Sequence, residues 1–124
     1  MSSILIAEDT RMMRDFLAET LTAAGHRVTT AENGSQAIAR VAGGEVFDLV
    51  ITDLIMPEVD GIQTIVEIRT MRPDAKIIAI SAGSPRLDVS SGLDAAARLG
   101  AAAVLEKPIA VDALLAAVTR ALGG

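Results

Sequence analysis

Five short apolar runs alternate along this chain with five longer stretches whose apolar residues recur at helical spacing. That alternation leaves few folds open. Ile4-Leu5-Ile6-Ala7 is continuous and ends at Glu8-Asp9, so it reads as a strand buried on both faces. Thr10 is placed to cap a helix in which Met13, Phe16, Leu17, Leu21 and Ala24 share a face, with Gly25 as its end. Met12 falls off that face and is expected to point outward. Arg27 to Thr30 is a short β-branched strand. Asn33 caps a helix carrying Ala37, Ile38 and Val41, which stops at Gly43-Gly44. Phe47 to Thr52 is the third strand, ending at Asp53. The Pro and Gly of Met56-Pro57-Glu58-Val59-Asp60-Gly61 mark a loop. Asp60 caps a helix with Ile62, Ile65, Val66 and Arg69, closed by Pro73. Lys76 to Ile80 is the fourth strand. A loop from Ser81 to Asp88 leads into a helix ending at Leu99. Ala101 to Leu105 is the fifth strand, Lys107-Pro108 a break, and Val111 to Leu122 the last helix.

Strict alternation means parallel strands joined by right-handed crossovers, with helices on both faces of the sheet. In such folds the chemistry collects at the carboxyl ends of the strands, beside the point where strand order reverses. A length of 124 residues suits one domain, expected over residues 1–124. The last helix ends two residues before the chain does, so no output domain is expected. The sequence does not separate a natural single-domain protein from a piece of a longer one, although Met1 and Gly123-Gly124 lean toward the first. Alanine occurs 22 times and the only aromatics are Phe16 and Phe47, so the core is expected to be small aliphatic side chains in close contact.

Several function classes drop out. The formal net charge of −5 repels phosphate backbones, so direct nucleic-acid binding is not expected. The absence of cysteine excludes disulfides, thiolate metal sites and thiol catalysis. His26 is the single histidine, which excludes a multi-histidine zinc site. No apolar run approaches the roughly 20 residues a spanning helix needs, so no membrane insertion is expected. The N-terminus lacks the basic region of a signal peptide, and a cytoplasmic location is expected.

At the predicted strand ends stand Glu8-Asp9, Asp53, Ser81 and Lys107-Pro108. Three carboxylates repel one another and call for a cation. An all-oxygen set suits Mg²⁺, with Mn²⁺ as an alternative. The +2 of Mg²⁺ and the +1 of Lys107 balance the three negative charges. Such a site attracts a further anion with oxygens to share, and a phosphoryl group fits. A carboxylate can accept that group as an aspartyl phosphate, given positioning and charge neutralisation. Each residue alone has a plainer reading, as a turn former, a helix-start charge or a solvated lysine. Nine of the eleven basic residues are arginine, so a lysine at a strand end argues for a compact point charge.

Glu8-Asp9, Asp53-Leu54-Ile55-Met56-Pro57, Ser81-Ala82 and Leu105-Glu106-Lys107-Pro108 together resemble the receiver domain of bacterial two-component response regulators, in order and spacing, over nearly the whole chain. The resemblance implies a doubly wound, flavodoxin-like (βα)5 fold, an α/β architecture with a five-stranded parallel sheet in strand order 2-1-3-4-5. It implies that Asp53 is the phosphoacceptor, receiving its phosphoryl group from a sensor histidine kinase or a histidine phosphotransfer protein. Asp9 and Asp53 would ligate Mg²⁺, with Glu8 acting through water and the backbone carbonyl of Ile55 as a further ligand. Lys107 would pair with Asp53 and then with a phosphoryl oxygen. Ser81 would hydrogen-bond another phosphoryl oxygen, helped by the backbone N–H of Ala82. The Lys107-Pro108 bond would be cis. Arg11, Met12, Pro108 and Ile109 map to the surface that docks the phosphodonor, and the output would be contact with a downstream protein target.

The sequence departs from the family in three places. Val104 replaces the usual aromatic of strand five, so a ring cannot swing there. The segment from Ser81 to Lys107 is longer than usual, with the surplus expected in Ala82 to Ser91. The switch is therefore expected to run through Ser81 and that loop, where Gly83, Pro85 and Gly92 lie. Ile55 and Gly83 carry no side chain able to orient a water, which favours slow self-dephosphorylation. Two other functions compete with the receiver reading. An aspartyl-phosphate phosphohydrolase carries a second aspartate two residues after its nucleophile, where this chain has Ile55. A degenerate receiver that acts by binding alone would not need the full acidic set and Lys107.

Overall fold

The computed structural model describes residues 2–54, 60–81 and 100–123. In chain order these form β1 (Ser3–Ala7), α1 (Arg11–Ala23), β2 (Arg27–Ala31), α2 (Gly34–Ala42), β3 (Leu49–Asp53), α3 (Gly61–Met71), β4 (Ile77–Ser81), β5 (Ala103–Glu106) and α4 (Val111–Gly123). The five strands are all parallel and lie in the order β2-β1-β3-β4-β5. The helix expected up to Leu99 lies outside the described residues.

Side chains of a strand alternate between its two faces, and that alternation divides the core. Leu5, Ala7, Val50, Ile77 and Ala79 pack with Ala37 and Val41 of α2 and Ile65 and Ile68 of α3. Ile4, Ile6, Leu49, Ile51, Ile78 and Ile80 pack on the other face with Leu17 and Leu21 of α1 and Leu114, Ala117, Val118 and Ala121 of α4. Both faces of β1, β3 and β4 are covered, which is why those strands read as unbroken apolar runs.

Local signals account for most boundaries. Asn33 and Asp60 cap α2 and α3, their side chains accepting from the backbone N–H of Gln36 and Gln63. Thr10 occupies the N-cap position of α1 but its side chain makes no capping bond. Its own N–H donates instead to Oε2 of Glu8 at 2.9 Å, so Glu8 organises that turn. Val66 of α3 is exposed. The buried stripe is Gly61, Thr64, Ile65 and Ile68, with spacings of three and four, and Val66 lies off it. Three strands begin later than expected. All three, β3, β4 and β5, also run one residue further, so Asp53, Ser81 and Glu106 are the last residues inside their strands.

Candidate functional site

β1 and β3 are neighbours at the centre of the sheet, and β5 lies at its edge beyond β4. Strand parity predicts what meets at the carboxyl end. Ile4 and Ile6 lead to Glu8, Leu49 and Ile51 to Asp53, and Ala103 and Leu105 to Lys107. All six of these hydrophobic residues belong to the cluster under α1 and α4, so the three polar residues continue one face of the sheet past its apolar end.

The geometry follows that pattern. Nζ of Lys107 donates to Oδ2 of Asp53 at 2.7 Å and lies 3.2 Å from Oε1 of Glu8. Glu8 and Asp53 are buried, whereas Asp9 is exposed. Carboxylate oxygens of Glu8, Asp9 and Asp53 lie within 4.8 Å of one another. Lys107 is anchored through its main chain as well, its N–H donating to the carbonyl of Ser81 at 2.8 Å. Ser81 is buried at the end of β4, between the strands that carry Asp53 and Lys107. The Lys107-Pro108 peptide bond is cis. Val104 packs against the cluster under α2 and α3 as a partly buried core residue.

Burial sets the electrostatics. It pushes the Glu8 carboxyl up to about 7; the Thr10 N–H opposes this, the nearby Asp53 adds to it, and Lys107 works against it. For Lys107, burial favours the neutral amine. The hydrogen bond to Asp53 and the charges of Asp53 and Glu8 outweigh that, and hold the ammonium above the usual lysine range.

The donor set fits a hard divalent cation, since it consists of carboxylate oxygens only. A second observation agrees. Oε1 of Glu8 is buried and, among the described residues, accepts no hydrogen bond of good geometry. Asp9 and Asp53 converge on the same place.

Two contributors escape a reading of the sequence. The N–H of Gly61 donates to the carbonyl of Leu54 at 3.0 Å, and a Cβ at position 61 would sit 2.0 Å from the carbonyl oxygen of Asp53. Only glycine lets the first turn of α3 close over the strand end that presents Asp53. Its sequence signal is a glycine directly after a capping aspartate, where helix propensity disfavours it. The other is Arg14, whose Nη1 donates to the backbone carbonyl of Glu8 at 2.9 Å. Four expectations, namely the Ile55 carbonyl, the Ala82 N–H, the lack of a water-orienting side chain at Gly83 and the loop from Ala82 to Ser91, lie outside the described residues.

The response regulator receiver domain family model matches residues 4–119. The chain is 38% identical over 121 residues to the DNA-binding transcriptional regulator NtrC of Azospirillum brasilense, covering 98% of this chain and 24% of that protein. It is 43% identical over 81 residues to the response regulator receiver protein CpdR of Brucella abortus, covering 65% of this chain and 67% of CpdR. A solved structure of the chemotaxis protein CheY4 of Vibrio cholerae superposes with a TM-score of 0.85 at 28% identity, covering 98% of this chain and 99% of the other. The chain thus spans about a quarter of the length of NtrC.

Proposed function

The chain belongs to the response regulator receiver family, and we propose that it is a phosphorylation-dependent signalling switch in which Asp53 is the phosphoacceptor and Glu8, Asp9, Ser81 and Lys107 serve the transfer. The observation that carries this reading is the 2.7 Å contact between Lys107 and Asp53 beside two further carboxylates.

A carboxylate oxygen of Asp53 would attack the phosphorus of a phosphohistidine donor. The O–P bond forms, the N–P bond breaks, and the imidazole leaves. Lys107 holds Asp53 in place beforehand and would then bond a phosphoryl oxygen, a charge-assisted contact. Ser81 would donate its hydroxyl to another phosphoryl oxygen, with the N–H of Ala82 beside it. Asp9, Asp53 and the carbonyl of Ile55 would hold Mg²⁺ or Mn²⁺, and Glu8 would act through water. When bound, the ion supplies positive charge against the carboxylates and the phosphoryl oxygens. The phosphohydrolase reading lacks its second carboxylate, because position 55 is isoleucine.

We propose a sensor histidine kinase or histidine phosphotransfer protein upstream and a protein target downstream, all in the cytoplasm, with no direct nucleic-acid contact. The net charge of −5 supports the last point. Among the described residues no helix is long and apolar enough to cross a membrane. Met12 is 82% exposed near the start of α1, and Pro108 is exposed, which supports a docking surface there for the donor. Phosphotransfer profiling against a panel of phosphorylated kinases tests the proposal. Rapid transfer from one of them is expected. Failure to accept a phosphoryl group from any phosphohistidine donor contradicts it.

A further inference from the structure

Arg14 stands in the first turn of α1, where a positive charge meets the positive end of the helix dipole. Helix stability therefore does not account for it. Among the described residues it makes no ion pair, although the acidic cluster is close by. Its Nη1 donates to the carbonyl of Glu8 at 2.9 Å and reaches the carbonyl of Asp9 at 3.4 Å. Both carbonyls lie past the end of the β1 ladder, whose register with β2 and β3 stops at Ala7. Side chains on a helix lean toward its N-terminus, which is why a first-turn arginine reaches the turn before it.

That turn presents the acidic pair. The Glu8 carboxylate is held by the Thr10 N–H and faces Lys107. Asp9 is exposed, and among the described residues its side chain has no hydrogen bond or ion pair, so its direction is set by the main chain that carries it. We propose that Arg14 is a positioning residue, clamping the Glu8–Asp9 main chain so that the Asp9 carboxylate is already aimed at the metal position. The inference rests on the metal reading given under the proposed function.

The sign of the effect separates positioning from simple electrostatics. A guanidinium repels a cation, so on Coulomb grounds alone its removal would tighten Mg²⁺ binding. Loss of the clamp weakens it. The test titrates Mg²⁺ alone into wild type, Arg14→Met and Arg14→Lys at fixed ionic strength. It is followed by calorimetry or by the amide signals of residues 8–15, since the chain has no Trp or Tyr to report by fluorescence. Arg14→Met is expected to raise Kd about tenfold, the low end of what losing a ligand-orienting partner costs. Its metal-free thermal midpoint should stay close to wild type, because Arg14 is only half-buried. Arg14→Lys keeps the charge on a shorter side chain and is expected to fall between the two. An Arg14→Met protein that binds Mg²⁺ as tightly as wild type, or more tightly, overturns the proposal. If Arg14→Met does not fold, Arg14→Lys decides: a raised Kd supports the clamp and an unchanged Kd overturns it. Saturable binding by wild type beside an unaffected variant sinks this inference alone. A wild type that binds no Mg²⁺ removes the metal reading and the inference with it.

Discussion

The ammonium of Lys107 sits 2.7 Å from Oδ2 of Asp53, a residue 54 positions earlier in the chain and two strands away in the sheet. The contact joins the edge strand to the centre of the sheet across the end of β4, where Ser81 lies. Any group that binds at Asp53 must take that ammonium from it or share it, so a change at β3 is felt at β5.

The first prediction concerns that contact. Lys107→Met leaves Asp53 and Glu8 buried beside each other without their cation. In metal-free protein at neutral pH we expect a loss on the order of 2 kcal/mol, below the ~3–5 kcal/mol of a fully buried pair, because Lys107 keeps 22% of its side-chain exposure. Chemical denaturation with and without Mg²⁺ measures it. The variant should still take some phosphoryl label, but its amide spectrum should no longer shift on phosphorylation. A wild-type shift would contradict the role given to Lys107.

Glu8 predicts a pH dependence. Its carboxyl titrates at about 7 in the folded protein against 4.5 in the unfolded chain. Between those values the folded state holds a proton that the unfolded state has released, so stability falls as pH rises through this window. At about 1.4 kcal/mol per pKa unit the loss is at most roughly 3–4 kcal/mol. Below pH 4.5 the contribution is fully present, and above 7 it is gone. Glu8→Gln should flatten the profile between about pH 5 and 8 in EDTA. In wild type, Mg²⁺ should bind more tightly as pH rises, because it displaces that proton. A wild-type profile no steeper than that of Glu8→Gln would refute the assignment.

Gly61→Ala places a methyl group 2.0 Å from the carbonyl oxygen of Asp53. The backbone must move, and we expect about 3 kcal/mol of destabilisation, at the upper end for overpacking. The same movement should lower Mg²⁺ affinity and the rate of phosphoryl uptake. A Gly61→Ala variant with wild-type stability would show that α3 does not press on the strand end.

How far the site can be read from residues alone depends on where each signal is local. Ile4-Leu5-Ile6-Ala7 ending in Glu8-Asp9 shows the strand and its polar end together, and strand parity then carries Glu8, Asp53 and Lys107 to one face. Capping by Asn33 and Asp60 is likewise written in a few consecutive residues. Thr10 looks the same in sequence and behaves differently: its side chain makes no capping bond, and its own N–H donates to Glu8. Hydrophobicity alone does not find the buried stripe of α3, which takes in Gly61 and Thr64 and leaves Val66 exposed. Arg14 and Gly61 act through main-chain carbonyls; for Gly61 the only trace in the sequence is a glycine directly after a capping aspartate, and for Arg14 a side-chain pattern holds no signal.

Ser81 tests the switch route. Val104 is packed in the core and has a small β-branched side chain, stiff at χ1, so the response should not centre on it. We expect an acyl-phosphate mimic to change hydrogen exchange chiefly in residues 81–99, and Ser81→Ala to abolish most of that change. The coupling should amount to roughly 1–3 kcal/mol. Changes centred on β5, or a full response from Ser81→Ala, would contradict this route.

The central claim is that Asp53 takes the phosphoryl group. Intact-mass measurement after incubation with a small phosphodonor and Mg²⁺ tests it most directly, with wild type and Asp53→Asn run side by side. We expect a single added phosphoryl group on wild type, lost on omission of Mg²⁺, and none on Asp53→Asn, which keeps the size of the side chain without its nucleophile. Undiminished labelling of Asp53→Asn would contradict it.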